Sequence, residues 1–146
     1  MKVLTTYLLV FVLGCYALDC SGKKNSAPQP PKTFPLGEYQ YTGYGEGGAK
    51  IVEGRLSITS REGDQLKGSW ELKQVGEPER IGPQVGSGEL IGSVQGSEVN
   101  LDLNPNMNDN NVNLRGQVEG KRYTGTWSFN GFAGRISSGR FEATGK

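Results

Sequence analysis

Residues 111–130, NVNLRGQVEGKRYTGTWSFN, decide the fold of this chain. Apolar residues or glycine occupy every second position from Val112 to Val118, and again from Tyr123 to Trp127. Period two is the spacing of side chains that share one face of a β-strand. Glu119-Gly120-Lys121, between the two runs, is typical of a tight turn. The stretch therefore predicts two antiparallel strands joined as a hairpin.

The same alternation, broken by short glycine-containing turns, extends over the chain after Pro35. Eight short strands joined by hairpins are the number and connection that close a small up-and-down barrel. The sequence thus predicts an all-β fold, a single eight-stranded antiparallel up-and-down barrel. The predicted strands are Glu38–Gly43, Lys50–Thr59, Gln65–Gln74, Gly86–Gln95, Glu98–Asn104, Asn111–Glu119, Arg122–Asn130 and Arg135–Thr144.

A glycine followed two positions later by a large apolar residue recurs along these strands, as in Gly68-Trp70 and Gly125-Trp127. Both residues of such a unit share a face, and small residues alternate with large ones inside narrow barrels. We expect these units to point inward, and the charged residues between them to lie outside. The predicted interior, either a ligand pocket or a packed core, includes Tyr39, Leu56, Trp70, Leu101, Leu114, Trp127 and Phe141.

Composition narrows the possible functions. Hydrophobic residues make up 34% of the chain and glycine supplies 23 positions, which disfavours packed helices. Sixteen Lys and Arg against fifteen Asp and Glu give a net charge of +1, so nucleic acid is not an expected partner. The chain has no histidine, which removes the commonest general base and metal ligand. We expect neither an enzyme nor a cofactor.

The first residues predict export. Residues 1–14 have the positive start and the apolar core, Val3 to Leu13, of a signal peptide. Val12-Leu13-Gly14-Cys15 resembles the bacterial lipobox, so Cys15 is the predicted lipid-bearing N-terminus. Cys15-Tyr16-Ala17 alternatively fits an ordinary cleavage site, which would give a secreted protein. Cys15 and Cys20 could instead form a disulfide in an oxidising compartment.

The chain divides into three parts. After the signal peptide, residues 15–35 form the lipidated N-terminus and a linker rich in proline and lysine, which is too polar to form a core. Residues 36–146 form the barrel domain. The predicted location is the bacterial cell envelope, in the outer membrane if the host is Gram-negative, with the lipid as membrane anchor.

The chain resembles the calycin group of meander barrels, the lipocalins and avidins, and more closely small bacterial lipocalin-like lipoproteins of unknown role. Gly37-Glu38-Tyr39 is similar to the lipocalin G-x-W motif, with Tyr in place of Trp. The resemblance implies an arginine over that aromatic ring, for which Arg135 and Arg140 are candidates. Thr124-Gly125-Thr126-Trp127 is similar to a strand of avidins, but no biotin site follows from it.

Two further segments are candidates for chemistry. Residues 104–111, NPNMNDNN, are rich in oxygen ligands but contain one carboxylate, so a polar turn is favoured over a Ca²⁺ site. Phe132 stands in the last predicted hairpin, where a bulky apolar residue finds little core to fill. It is predicted to cover the barrel mouth or to contact a partner.

These observations leave two hypotheses for function. The first is a lipid-anchored envelope protein whose barrel is a non-catalytic interaction or structural module. The alternative is a binding protein for a small hydrophobic ligand inside the barrel. The two differ in whether the interior is solid or hollow.

Overall fold

Strands form wherever the alternation of apolar and polar residues runs unbroken. The computed structural model describes residues 34–76, 81–107 and 109–146, so the predicted signal peptide, Cys15 and the linker up to residue 33 lie outside the described residues. The strands are β1 (Gly37–Tyr44), β2 (Lys50–Glu62), β3 (Gln65–Gln74), β4 (Gly86–Gln95), β5 (Glu98–Asp102), β6 (Asn110–Glu119), β7 (Arg122–Gly131) and β8 (Gly134–Gly145).

Each strand pairs antiparallel with the next, and β8 pairs with β1 to close the barrel. The predicted eight-stranded up-and-down barrel is therefore confirmed, and it is consistent with a lipocalin-like fold. The bounds of β3 and β4 are those predicted from sequence. Strand β2 is longer than predicted because the register shifts between Ile58 and Ser60, which lets pairing continue to Glu62.

Within the described part of the chain, no helix is long and apolar enough to cross a membrane.

The two ends of the barrel are built differently. The hairpin end carries the β2–β3, β4–β5 and β6–β7 turns together with the start of β1 and the end of β8. Each of the three turns has two residues, of which the first is a glycine with φ near +60° and the second has negative φ: Gly63-Asp64, Gly96-Ser97 and Gly120-Lys121. This is the pattern of type II′ turns, whose twist matches that of antiparallel strands.

The loop end carries the remaining connections, residues 45–49, 75–85, 103–109 and 132–133. The last of these is shorter than the gap predicted between strands that end at Asn130 and begin at Arg135, because β7 continues to Gly131 and β8 begins at Gly134. The turn is thus made by Phe132 and Ala133. A register shift between Phe129 and Asn130 accompanies it.

The recurring glycines let the wall bend tightly. A Cβ at Gly68 would collide with the Ser57 carbonyl oxygen of the neighbouring strand, and one at Gly125 with that of Arg115. Only a residue without a side chain allows two backbones to approach so closely. The large partners of these glycines are buried, as predicted: Leu56, Trp70, Leu90, Val94, Val118, Trp127 and Phe141.

One residue of the predicted linker belongs to the core. Phe34 is 2% exposed, and its ring packs against those of Tyr39 and Tyr123, at centroid distances of 4.9 and 5.2 Å. The prediction that the core begins only at residue 36 was wrong for Phe34. Its ring closes the hairpin end of the barrel.

Candidate functional site

The predicted interior residues all lie inside the barrel. Each is buried, with Trp70 the most accessible at 6% exposure. They come from strands that are distant in sequence, and the closed register brings them together. The buried set is Tyr39, Leu56, Trp70, Leu101, Leu114, Trp127 and Phe141.

Aromatic rings fill the hairpin half of this interior. Phe34 stacks on Tyr39 and meets Tyr123 edge-on, and Phe141 lies 4.7 Å from Tyr123 and 5.7 Å from Tyr41 between centroids. The Tyr39 hydroxyl donates to the Pro35 carbonyl at 2.7 Å. Aromatic pairs at these distances stabilise a core beyond the area they bury. The sequence pattern did not reveal the part played by Phe34.

Burial shifts the acidity of three tyrosines. Desolvation raises the pKa of Tyr39 to about 12 and holds the pKa values of Tyr41 and Tyr123 well above the usual range, because the phenolate would lack water. The Tyr123 hydroxyl lies 3.1 Å from the Val99 carbonyl oxygen and 3.0 Å from that of Leu114. The phenols of Tyr39 and Tyr123 are neutral structural donors.

Both indoles point inward and their N–H groups bind backbone near the loop end. Trp70 Nε1 donates to the Leu103 carbonyl oxygen at 2.6 Å, and Trp127 Nε1 donates to that of Tyr44 at 2.8 Å. A buried indole normally finds such a partner. The two tryptophans thereby tie the loop end to the core.

The connection from β3 to β4 contributes two buried residues that the sequence did not predict. Ile81 is 7% exposed and Gln84 is fully buried, and Gly82 lies against the ring of Phe129. Among the residues that the structure describes, neither amide atom of Gln84 has a hydrogen-bond partner, and the same holds for the hydroxyl of Tyr41. The interior therefore holds polar groups that a bound molecule or water would satisfy.

Four of the six large apolar side chains that are exposed among the described residues lie at the loop end. We call Val85, Met107, Phe132 and Ile136 the rim; their exposures are 44, 45, 96 and 43%. The β7–β8 hairpin approaches the end of the β5–β6 connection, since a Cβ at Gly131 would meet Ile136 and would lie 3.7 Å from the Asp109 carbonyl oxygen. Phe132 stands at the tip of its hairpin, in solvent.

The charged side chains predicted to be outside are there, and they form ion pairs. Arg115 binds Glu98 at 2.8 Å and Arg122 binds Glu142 at 3.4 Å. Hydrogen bonds from lysines hold the pKa values of Glu38 and Glu53 below the usual range, with Lys146 the largest cause for Glu38 and Lys50 for Glu53. Groups with these shifts act as anions rather than as proton donors.

The structure places residues on which two sequence-based suggestions depended. Arg140 pairs in register with Tyr44 and Arg135 with Asn130, so neither lies over Tyr39, where the lipocalin resemblance would place an arginine. Phe34 takes that place instead. In the 104–111 segment, Asn104 Nδ2 donates to the Asn110 carbonyl at 2.9 Å, the side-chain-to-backbone bond expected of a polar turn.

Searches against protein-family models and against curated proteins find no significant match to this chain.

Proposed function

We propose that this chain is an exported protein, lipid-anchored through Cys15 in a bacterial envelope, whose barrel is a non-catalytic interaction module. The apolar core of the leader and the Gly14-Cys15 junction support the anchor. The barrel binds a protein partner through its loop end. The observation that carries the proposal is the rim.

Exposure of the rim side chains to solvent is unfavourable in free energy, and nothing in the isolated barrel offsets it. Phe132 is 96% exposed, although the hydrophobic effect favours covering a phenylalanine by about 1.5–3 kcal/mol. Rim residues come from three connections and from β8, and they are collected at one end by the closed topology. Clustered exposed apolar side chains are typical of contact surfaces.

The position of Phe34 agrees with a protein contact at the loop end. Phe34, the first residue that the structure describes, lies at the hairpin end, opposite the rim. An anchor attached at that end leaves the loop end facing away from the lipid. The packed aromatic interior supports a rigid module, because rigid scaffolds carry binding loops at low cost in ordering.

The contact is tested by placing a photo-crosslinking amino acid at position 132 in the cells that express the protein. A matched control carries it at position 119, where Glu119 is exposed beside the hairpin-end turn. We expect a discrete adduct with one envelope protein from position 132 and none from position 119. No adduct from position 132, or equal adducts from both, would contradict the proposal.

The anchor has its own test. In a bacterial host, labelled fatty acid should enter the wild-type protein and the Cys20→Ser control but not Cys15→Ser. Equal labelling of all three forms would defeat the lipidation proposal, whereas the contact at the rim would stand or fall with the crosslinking result.

A small hydrophobic ligand inside the barrel is the second candidate function. The unpartnered amide of Gln84 and hydroxyl of Tyr41 favour it, because an amphiphile with a polar head would satisfy them. A fatty acid should then change the emission of Trp70 and Trp127 saturably, and Gln84→Leu should weaken its binding. A fatty acid that leaves the emission unchanged at saturating concentration would exclude this candidate.

A further inference from the structure

The outer wall of the barrel carries grooves of different character. Three of them lie on β1 to β6 and have volumes of about 440, 490 and 280 Å³. A fourth, of about 650 Å³, lies over β7, β8 and the end of β1. We call it the β7–β8 groove; outward side chains line it, namely Tyr44, Arg122, Thr124, Thr126, Arg140 and Glu142.

Charge separates the β7–β8 groove from the other three. In the grooves of β1 to β4, Arg55 is paired with Glu71 at 2.5 Å, and Glu53 with Lys73 at 3.0 Å. In the groove over β4 to β6, Asp102 is the one charged side chain among the lining residues. The β7–β8 groove has two arginines and one glutamate, a net charge of +1.

The excess cation is Arg140. Arg122 is paired with Glu142, but Arg140 has no ion-pair or hydrogen-bond partner among the residues that the structure describes. Its guanidinium extends toward the β1–β2 connection, where Nη2 lies 3.9 Å from the position of a Cβ at Gly48. An arginine without a carboxylate keeps all its donors free for a ligand.

The frame around Arg140 is rigid. It stands in register between Thr126 of β7 and Tyr44 of β1. The Tyr44 backbone is held by the indole of Trp127, and the floor of the groove is the packed wall at Gly125 and Phe141. The groove is thus built from strands rather than loops, which fixes the geometry of its side chains.

These groups together match one class of ligand. A guanidinium binds carboxylate or phosphate through two parallel hydrogen bonds. Threonine hydroxyls donate to and accept from other hydroxyls, and a tyrosine ring offers an apolar face with a polar tip. We infer that the β7–β8 groove binds a sugar residue bearing a carboxylate or a phosphate, with its anion on Arg140 and its ring beside Tyr44. This inference goes beyond the contact proposed for the rim and does not depend on it.

Binding is tested by titrating the detergent-solubilised full chain with three matched probes while following backbone amide shifts by NMR. The probes are glucuronic acid, glucose 6-phosphate and glucose. We expect saturable shifts at groove residues with one or both anionic sugars, at Kd values on the order of millimolar, and at least tenfold weaker binding of glucose. The anionic sugar that binds more tightly identifies the anion.

Inorganic phosphate and acetate are the controls for a bare anion site. Either ion binding as tightly as the sugar that carries its group would overturn the inference, because the sugar ring would contribute nothing. Equal binding of glucose, shifts outside the groove or no binding at all would also overturn it.

Variants locate the contact. Arg140→Gln should weaken the binding of the anionic sugars at least tenfold and leave the binding of glucose unchanged. Tyr44→Ala should weaken the binding of every sugar. Arg55→Gln changes an exposed arginine on β2 that does not line the groove, so it is the matched control and should have no effect. Circular dichroism checks that each variant is folded. An equal loss of affinity for the anionic sugars in Arg140→Gln and Arg55→Gln would contradict a specific site.

Discussion

The hairpin end and the loop end of the barrel differ in how their aromatic side chains are placed. At the hairpin end, the hydroxyls of Tyr39 and Tyr123 reach carbonyl oxygens and the ring of Phe34 is buried between them. At the loop end, the amide of Gln84 is buried without a partner and Phe132 is almost wholly exposed. The difference indicates that packed aromatic rings stabilise the hairpin end, whereas the exposed ring of Phe132 adds little to the stability of the loop end.

The largest expected effect comes from one substitution made at both ends. Phe34→Ala should lower the free energy of unfolding by about 3–5 kcal/mol, because it empties a packed aromatic site. Phe132→Ala should change it by less than about 0.5 kcal/mol, since the side chain is 96% exposed. Urea denaturation followed by circular dichroism measures both.

The result for either variant can contradict the contrast in stability between the two ends. A loss below about 1 kcal/mol for Phe34→Ala would mean that its ring does not stabilise the hairpin end. A comparable loss for Phe132→Ala would show that the tip packs against the barrel rather than serving as a free contact. Deletion of residues 1–33 should leave stability unchanged, whereas deletion through Phe34 should reproduce the loss.

Alkali should unfold the barrel through its hairpin end. The pKa of Tyr39 is raised from 10.0 to about 12. A raised pKa means that the folded state holds the proton longer than the unfolded state, so stability is complete below pH 10 and falls as pH rises toward 12. Tyr39 alone then accounts for a loss of about 2–3 kcal/mol over that interval.

The buried Tyr41 and Tyr123 should steepen this loss, because their pKa values are raised as well. Urea denaturation at a series of pH values gives the slope, and absorbance of tyrosinate reports whether ionisation accompanies unfolding. Tyr39→Phe should flatten the slope by about 1.4 kcal/mol per pH unit. An unchanged slope in that variant would show that Tyr39 ionises freely in the folded barrel.

The fold was predictable because its determinants are local. The alternation of apolar and polar residues predicted the positions of the strands. The spacing of a glycine two positions before a large apolar residue correctly identified the inward face at Gly68-Trp70 and Gly125-Trp127. The two-residue turns carry glycine where φ must be positive, as at Gly120. The strand and turn patterns each depend on neighbours within a few residues, so they can be recognised in a single sequence.

The features that escaped prediction depend on residues far apart in sequence. Phe34 stands in a proline-rich stretch, and only the fold shows that Tyr123 lies within reach of it. Gln84 and Ile81 are buried by the closure of the loop end, which no local pattern reveals. The excess charge of Arg140 likewise appears only when the neighbouring strands and their carboxylates are placed.

A glycine comparison sharpens the contrast between the packed wall and the loop end. Gly68→Ala should cost about 1–3 kcal/mol or more, because the new Cβ would collide with the backbone of Ser57. Gly47→Ala, in the β1–β2 connection, meets no atom within 4 Å and should be tolerated. Thermal unfolding of the two variants measures the difference, and a tolerated Gly68→Ala would indicate a wall that relaxes locally.

The smallest expected effects concern ion pairs, which both ends possess. Lys146 binds Glu38 at 2.9 Å at the hairpin end, and Lys73 binds Glu53 at 3.0 Å toward the loop end. Both carboxylates have lowered pKa values, so their contribution is present above pH 4.5 and is lost as pH falls through the lowered values. All four side chains are substantially exposed, which leaves the pairs weak.

Stability measurements at low and high salt can therefore show whether packing or charge makes the two ends differ in stability. At about 1 M salt the Debye length is about 3 Å, and exposed pairs are largely screened. Lys146→Met and Lys73→Met should both have small effects at low salt, and these effects should shrink further at high salt. The gap between Phe34→Ala and Phe132→Ala should persist, because burial of an aromatic ring does not depend on ionic screening. If high salt closed that gap, the stability of the hairpin end would come from the charges around Glu38 rather than from the ring of Phe34.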